Sequence, residues 1–187
     1  LNEEIRIAST NLDPMRFPDS ANMQQMNQLG RLNVPNNWGD HDGDGDLDYI
    51  CGVGARSFSI WTTDLEMVWD SGHDFSQYST NNGQHLVDEM NTRDDNKGIE
   101  PEGVKVGEID GRQYLFVSME RSFGVMIYDI TDPNNPSFQQ WIQVDGSSNP
   151  EDMEFVSADV SPTGTPLLLV ANGDSGSVGI WELMLIW

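Results

Sequence analysis

Short apolar stretches separated by turn residues recur along the chain, and three of them share a pattern. Each passes from an apolar run, through a break containing Gly or Ser, to alternating residues that end in an aromatic; the segments are 49–61, 115–128 and 168–181. Short runs rich in Val, Ile and aromatic residues and bounded by Gly predict strands joined by tight hairpins. The recurrence predicts a structural unit repeated with loops of variable length.

The second of these units shows four predicted strands in succession. They are Gly103 to Ile109, Gln113 to Met119, Val125 to Ile130 and Phe138 to Val144. Asp110-Gly111 and the Pro- and Asn-rich residues 132–136 supply turns between them. Four antiparallel strands in about 40–50 residues are typical of a β-propeller blade.

The other two units are less regular. The first is expected to have strands near Leu29–Val34, Asp48–Val53, Ser57–Thr62 and Met67–Asp70, and the third near Met153–Val156, Pro166–Ala171 and Ser177–Leu183. An additional strand is predicted over Glu4–Ala8, where apolar and charged residues alternate. Helical periodicity is weak; its best candidate is Ser20 to Leu29, with a loop containing one or two helical turns as the alternative.

These elements predict an all-β protein with blade-like units at approximately 29–75, 102–145 and 151–187. Propellers typically have 4–8 blades, so about three do not close a ring. We therefore expect either missing sequence or another chain to complete it. The start at Leu1, without Met or an apolar leader, is expected of a processed product or a fragment. The apolar residues 180–187 are expected to be a docked final strand, or one shared with a partner.

The strong negative charge of the chain limits the kinds of molecule that it can bind. The 187 residues carry 31 Asp and Glu against 9 Lys and Arg, a formal net charge of -22. This excludes nucleic-acid binding through a basic surface, and it favours divalent cations or cationic partners. No segment reaches the ~20 apolar residues of a membrane span. The lone Cys51 alternates with Tyr49 and Val53 on a predicted strand and is expected to be a buried structural thiol.

The most specific motif is an acidic loop at residues 40–48. The loop contains five acids at alternate positions, with Gly43 and Gly45 among them: Asp40, Asp42, Asp44, Asp46 and Asp48. The carboxylates at loop positions 1, 3, 5 and 9 are the candidate ligands, and Asp46 at position 7 would offer its backbone carbonyl. Calcium prefers six to eight hard oxygens, which alternating acids in a short loop can supply. Cys51 stands where an EF-hand requires Glu, and a strand rather than a helix is predicted to follow. The loop is therefore expected to bind calcium as β-blade loops do; a solvated acidic turn is the alternative.

A second acidic constellation follows from the repeat. Glu102 and Glu151 each follow a Pro at the predicted start of the first strand of a unit. The innermost strand of a blade begins at the mouth of the central channel, so these carboxylates are expected to converge there. Together they could hold a cation or act as an acid/base pair, with Arg56 or Arg121 binding an anion. The alternative is an exposed turn acid, with each Arg in a structural ion pair.

Other chemistry is sparse. His41, His73 and His85 lie in predicted loops without metal-ligand spacing and are expected at the surface. No nucleophile elbow, phosphate loop or dinucleotide fingerprint is present. The Asn- and Gln-rich residues from Ser76 to Gln84 are expected to form a solvated loop.

Four stretches of the chain resemble the choice-of-anchor I domain, a family of secreted or surface-anchored bacterial β-propellers. They are GDHDGDGDLDYICGVGARSFSIW, DSGHDF, DDNKGIEPEGVKVGEIDGRQYLFVSMERSFGVMIYDITDPNNPSF and SPTGTPLLLVANGDSGSVGIWEL. The resemblance covers most of residues 3–183 and matches the C-terminal part of that domain, so further blades are expected before Leu1. It implies an extracellular location, a propeller and bound calcium.

Two functions are compatible with these observations. One is a calcium-binding extracellular module with a structural, adhesive or self-assembly role, whose edge strands pair with another chain or another copy. The other is a metal-dependent phosphoesterase, as some labels in the resembled family suggest, with Glu102 and Glu151 holding cations at the channel mouth. The sparse catalytic inventory favours the first.

Overall fold

The computed structural model describes residues 4–54, 56–81, 95–96, 98–143 and 149–185. These residues are all-β with mostly antiparallel pairing and two short α-helices, which confirms the all-β part of the predicted fold. The chain divides into two compact units, one within residues 1–55 and 89–98 and the other within 56–88 and 99–187. No helix of the described residues has the length and apolarity to span a membrane.

The smaller unit is built around a short antiparallel pair. Strand β1 (Glu4–Arg6) pairs with β2 (Asn33–Pro35), and helix α1 (Ser20–Met23) is a single turn between them. Both strands are shorter than predicted, and the single helical turn agrees with the alternative interpretation of residues 20–29. The core of the unit consists of four buried apolar side chains: Ile7, Leu12, Val34 and Leu47.

The strand predicted over Asp48–Val53 is not formed. The backbone amides of Asp48 and Tyr49 both donate to the Gly39 carbonyl, at 2.7 and 3.1 Å, and close a loop instead of joining a ladder. Cys51 is consequently half-buried in irregular structure, and the prediction of a buried strand thiol is wrong.

Three sheets make up the larger unit. The first is the hairpin β3 (Ser59–Trp61) and β4 (Met67–Asp70), which is followed by helix α2 (Asp74–Asn81). The second has the order β5-β6-β7-β8, with strands at Pro101–Ile109, Arg112–Met119, Gly124–Asp129 and Ser137–Gln143. The third has the order β9-β10-β11, with strands at Pro150–Val156, Leu167–Asn172 and Ser177–Glu182. The predicted strands of the second and third sheets are reproduced to within a few residues.

The four-stranded sheet buries both of its faces. Leu115, Val117 and Tyr128 point to one face, where they contact Phe58 and Phe75 in one apolar cluster. On the opposite face, Phe116 and Ile127 join a second cluster with Leu168 and Val170 of the third sheet. The sheets of this unit therefore stack face to face.

Helix α2 occupies part of the segment that was predicted to be a solvated loop. Phe75 is fully buried, and the ring of Tyr78 stacks on Phe138 with the centroids 3.9 Å apart. These two residues, three positions apart, form the apolar side of a short helix whose first turn carries Asp74. Tertiary contacts therefore stabilise a helix that the polar sequence does not indicate.

Candidate metal centre

The acidic loop of residues 40–48 is anchored at both ends. Leu47 forms an isolated parallel bridge with Leu12, and its amide donates to the Asn11 carbonyl at 3.0 Å. Asp48 and Tyr49 are tied to Gly39 as described above. The apolar core of the smaller unit thus holds the ends of the loop while its middle remains exposed.

Three of the five loop acids come together. Asp40, Asp42 and Asp48 each present one carboxylate oxygen, and these oxygens all lie within 4.8 Å of one another. Two ligands on opposite sides of a calcium ion, each about 2.4 Å from it, are about 4.8 Å apart. The spacing of these carboxylates therefore fits ligands of a single calcium ion.

Backbone amides shape the loop around these acids. Asp40 accepts hydrogen bonds from the amides of Gly43 and Gly45, at 2.7 and 3.1 Å. Both glycines have positive φ, +80° and +98°, and both face open space. Their left-handed backbone bends the loop sharply enough for its amides to point inward, which is the reason for glycine at these two positions.

Asp48 is the buried member of the group. It accepts hydrogen bonds from the His41 amide at 2.7 Å and from Arg16 Nε at 2.9 Å. The His41 amide, with Arg16, lowers the pKa of Asp48 and keeps it ionised. A carboxylate has about four lone-pair sites, so Asp48 can still bind a metal.

Asp44 and Asp46 lie outside the group of three. Burial, followed by the charge of Asp44 and of other nearby acids, raises the pKa of Asp46. This repulsion is the electrostatic cost that a bound cation would relieve. The predicted roles of the Asp44 carboxylate and the Asp46 backbone carbonyl as ligands stay predictions.

The structure brings Glu102 and Glu151 together. Both side chains are exposed, and partial burial, followed by the charge of the nearby Glu102, raises the pKa of Glu151. Glu100 and Asn149, which precede the two Pro-Glu pairs, both have positive φ, of 50° and 60°. The carbonyl of Glu100 accepts the Glu120 amide at 3.0 Å, and the carbonyl of Asn149 accepts the Gly173 amide at 2.9 Å. The two sheets therefore begin with the same local structure, as the repeat predicts.

Arg121 lies among these acids. Its Nε is 2.9 Å from Glu100 and a terminal nitrogen is 2.6 Å from Glu120, with all three side chains largely buried. Burial and the neighbouring acids Glu100 and Glu102 raise the pKa of Glu120 to about 7, although Arg121 opposes this. Arg121 is therefore engaged in structural ion pairs, which agrees with the alternative interpretation of this residue.

The remaining sequence candidates that the structure describes have exposed side chains. Arg56 is exposed, and no ion pair joins it to a described residue. His41 and His73 are exposed, in agreement with the expectation, and His85 lies outside the described residues.

Sequence reasoning missed three residues that shape the two acidic sites. Arg16 reaches Asp48 from 32 positions away, and no pattern in the sequence links the two. Glu100 precedes Pro101 and Glu120 precedes Arg121, two residues that the repeat had identified. The repeat could therefore have pointed to both acids.

Comparison with known proteins identifies relatives. A family model described as the choice-of-anchor I domain matches residues 2–133. Gigasin-3a from Magallana gigas is 28% identical over 185 residues, an alignment that covers 83% of this chain. The chain spans 64% of the length of that relative. No solved structure matches the chain.

Proposed function

This chain belongs to the choice-of-anchor I domain family, and we propose that it is a calcium-binding, extracellular β-propeller module with a structural, adhesive or self-assembly role. Membership of the family supports the secreted or cell-surface location. The face-to-face stack of sheets in the larger unit supports a propeller segment. The observation that carries the proposal is the group of Asp40, Asp42 and Asp48, whose ligand oxygens lie within 4.8 Å of one another.

Calcium bound at this loop would stabilise the folded protein. A cation offsets the mutual repulsion of five carboxylates within nine residues and fixes the loop against Gly39 and Leu12. An ion that binds only the folded state stabilises it by about 2.7 kcal/mol when its free concentration is 100 times Kd. Extracellular calcium modules bind in the range of about 10⁻⁴–10⁻³ M, where such loading depends on the medium.

The proposal is tested by thermal unfolding with calcium and with a chelator. We expect chelation to lower Tm, and Asp42→Ala combined with Asp44→Ala to abolish the difference. Asp64→Ala with Glu66→Ala is a matched control, because it removes two acids at the exposed turn between β3 and β4. The control should keep the response to calcium. An identical Tm with and without chelator would contradict calcium binding.

The self-assembly part of the role has a separate test. Light scattering or native mass spectrometry over a range of protein concentrations should show association of the calcium-loaded protein. A single monomeric species at every concentration would remove self-assembly from the proposal and leave the structural and adhesive roles.

The convergence of Glu102 and Glu151 favours a metal-dependent phosphoesterase as a second candidate function. In that case the two carboxylates would hold a cation, and a phosphate would have to compete with Glu100 and Glu120 for Arg121. The test is hydrolysis of a panel of phosphoesters with calcium present. Activity that survives Glu102→Gln combined with Glu151→Gln would rule out this mechanism.

A further inference from the structure

Asp48 is held by hydrogen bonds on both of its carboxylate oxygens. Oδ2 accepts the His41 amide at 2.7 Å, from within the acidic loop. Oδ1 accepts Nε of Arg16 at 2.9 Å, from a segment 32 positions earlier in the chain. A carboxylate that is bonded at both oxygens has little freedom to rotate, so Asp48 presents its remaining lone pairs in one orientation.

Arg16 is itself held by two neighbouring groups. Its guanidinium carbon lies 5.0 Å from the centre of the Tyr49 ring, and its Nε lies 3.6 Å from a carboxylate oxygen of Asp13. A guanidinium over an aromatic face is attracted to the ring, and its planar group keeps a fixed direction there. Arg16 therefore reaches Asp48 with one preferred geometry rather than as a mobile surface cation.

The turn that carries this arginine, residues 13–17, is also tied to the acidic loop through the backbone; we call it the Arg16 turn. The Asp13 amide donates to the Leu47 carbonyl at 3.1 Å. Asp13 accepts the Met15 amide at its side chain and the Phe17 amide at its carbonyl, both at 2.8 Å. The turn and the C-terminal end of the loop therefore form one hydrogen-bonded assembly.

We propose that Arg16 is a positioning residue for calcium: it fixes Asp48 where the other two acids of the group of three can bind the same ion. The inference rests on the proposed function, because it takes calcium to be the ion that the acidic loop binds. Removing a hydrogen-bond partner that orients a metal ligand typically weakens metal binding by about 10–100-fold. Arg16 has this effect from outside the loop that supplies the ligands.

The charge of Arg16 on its own would have the opposite effect on calcium binding. A positive side chain next to a cation site repels the cation. The Arg16 side chain is 48% exposed, and water and salt screen repulsion at the surface. Arg16 contacts Asp48 directly, so we expect the orienting effect to exceed the repulsion. The two effects have opposite signs, and a binding measurement therefore separates them.

The test is isothermal titration calorimetry of the protein with calcium chloride. Arg16→Lys keeps the charge but loses the planar group that bonds Asp48 while it lies over Tyr49. This variant should bind calcium about tenfold more weakly than the unsubstituted protein. Arg16→Met removes the repelling charge as well, and it should still bind calcium more weakly than the unsubstituted protein.

Arg112→Lys is a matched control for the loss of an arginine–aspartate pair. Arg112 pairs with Asp129 in the larger unit, and the two side chains are 48% and 6% exposed, against 48% and 7% for Arg16 and Asp48. The same substitution there changes an equivalent ion pair that shares no partner with the acidic loop. It should leave the calcium affinity within about twofold of the unsubstituted protein.

Amide hydrogen exchange gives a readout that a general loss of stability would not change in the same way. Calcium should slow exchange of the Gly43 and Gly45 amides, which lie within the loop. It should also slow exchange of the Met15 and Phe17 amides, because Arg16 links their turn to the bound ion. In Arg16→Lys, saturating calcium should still protect the two glycine amides but no longer those of the Arg16 turn.

A double-mutant cycle tests whether Tyr49 acts through Arg16. Tyr49→Leu removes the aromatic face at a residue that is 49% exposed. It should weaken calcium binding by about two- to fivefold, as expected for the loss of one exposed cation–π contact. In an Arg16→Met background it should have no further effect. An equal effect in both backgrounds would overturn the role assigned to Tyr49.

Three results would overturn the inference about Arg16. These are calcium binding by Arg16→Lys within about twofold of the unsubstituted protein, tighter binding by Arg16→Met, and calcium protection of the Arg16 turn that persists in Arg16→Lys. In each of them the unsubstituted protein still binds calcium. Absence of calcium binding by the unsubstituted protein would instead contradict the proposed function, so the two failures are distinguishable.

Discussion

Replacing Gly107 by Ala should strain the contact between the second and third sheets, because the structure leaves no room for a β-carbon there. The added carbon would lie 2.5–2.6 Å from three ring carbons of Phe155. Favourable carbon–carbon contacts lie at about 3.5–4.0 Å, so the ring has to move by about 1 Å. Phe155 cannot move freely, because it stacks on the fully buried Phe116 with the ring centroids 5.9 Å apart.

The size of the effect follows from two opposing contributions. Overpacking of this kind costs about 1–3 kcal/mol. Gly107 does not have positive φ, so Ala adopts its backbone conformation without strain and recovers about 0.5–1 kcal/mol through lower chain entropy. Taking about 2 kcal/mol, the middle of the overpacking range, the net loss in the free energy of unfolding is about 1–1.5 kcal/mol, or a fall in Tm of roughly 2–6 °C.

This loss of stability is measured by urea unfolding, with tryptophan fluorescence as the probe. Gly52→Ala is the matched control, because Gly52 has no atom within 4 Å of a built β-carbon and lacks positive φ. In a Phe155→Leu background, Gly107→Ala should lose most of its cost, since the clashing ring is gone. The packing described for the two sheets would be refuted if Gly107→Ala were neutral, or if its cost were the same in both backgrounds.

Three further predictions concern buried groups of the larger unit. The pKa of Glu120 is about 7 in the folded protein, above its usual value, so the free energy of unfolding should fall as the pH rises from about 4.5 to 7. Glu120→Gln should reduce this fall, and urea unfolding at pH 5 and at pH 8 measures it. Arg121→Gln should cost about 3–5 kcal/mol by the same assay, because it leaves the largely buried Glu100 without its cation; a cost below about 1 kcal/mol would contradict that pairing. Phe75→Ala should lower the free energy of unfolding by about 3–5 kcal/mol, because Phe75 is fully buried. Gln77→Ala, at an exposed position of the same helix, should be nearly neutral. Equal costs would show that the aromatic side chains do not anchor α2.

The strands of the second sheet were predictable because their boundaries have local causes. Asp110 and Gly111 both have positive φ, of 50° and 77°, which is the backbone that a tight hairpin turn requires and that this dipeptide favours. The acidic loop was predictable for a similar reason, since alternating acids and two glycines within nine residues specify their own turn geometry. Membership of the choice-of-anchor I domain family was predicted from the same motifs and is confirmed.

Other elements depend on contacts that are distant in sequence. Helix α2 forms because Phe75 and Tyr78 find an apolar surface, which polar neighbours in the sequence do not reveal. Tyr49, Cys51 and Val53 alternate as a strand would, yet their segment finds no ladder partner, because the amide of Tyr49 bonds to Gly39. Alternation alone cannot distinguish these cases, since a strand requires a neighbour to accept its hydrogen bonds.

The sequence by itself determined the local features of this protein: the strand-and-turn pattern, the repeated unit and a loop with the acid spacing of a calcium site. Only the tertiary structure decided which groups meet. It selected Asp40, Asp42 and Asp48 from five acids and brought Arg16 to Asp48. It also packed β9 against β5, with the ring of Phe155 over Gly107. Turn geometry depends on a few neighbouring residues, whereas convergence and exposure depend on how sheets formed from distant segments pack together.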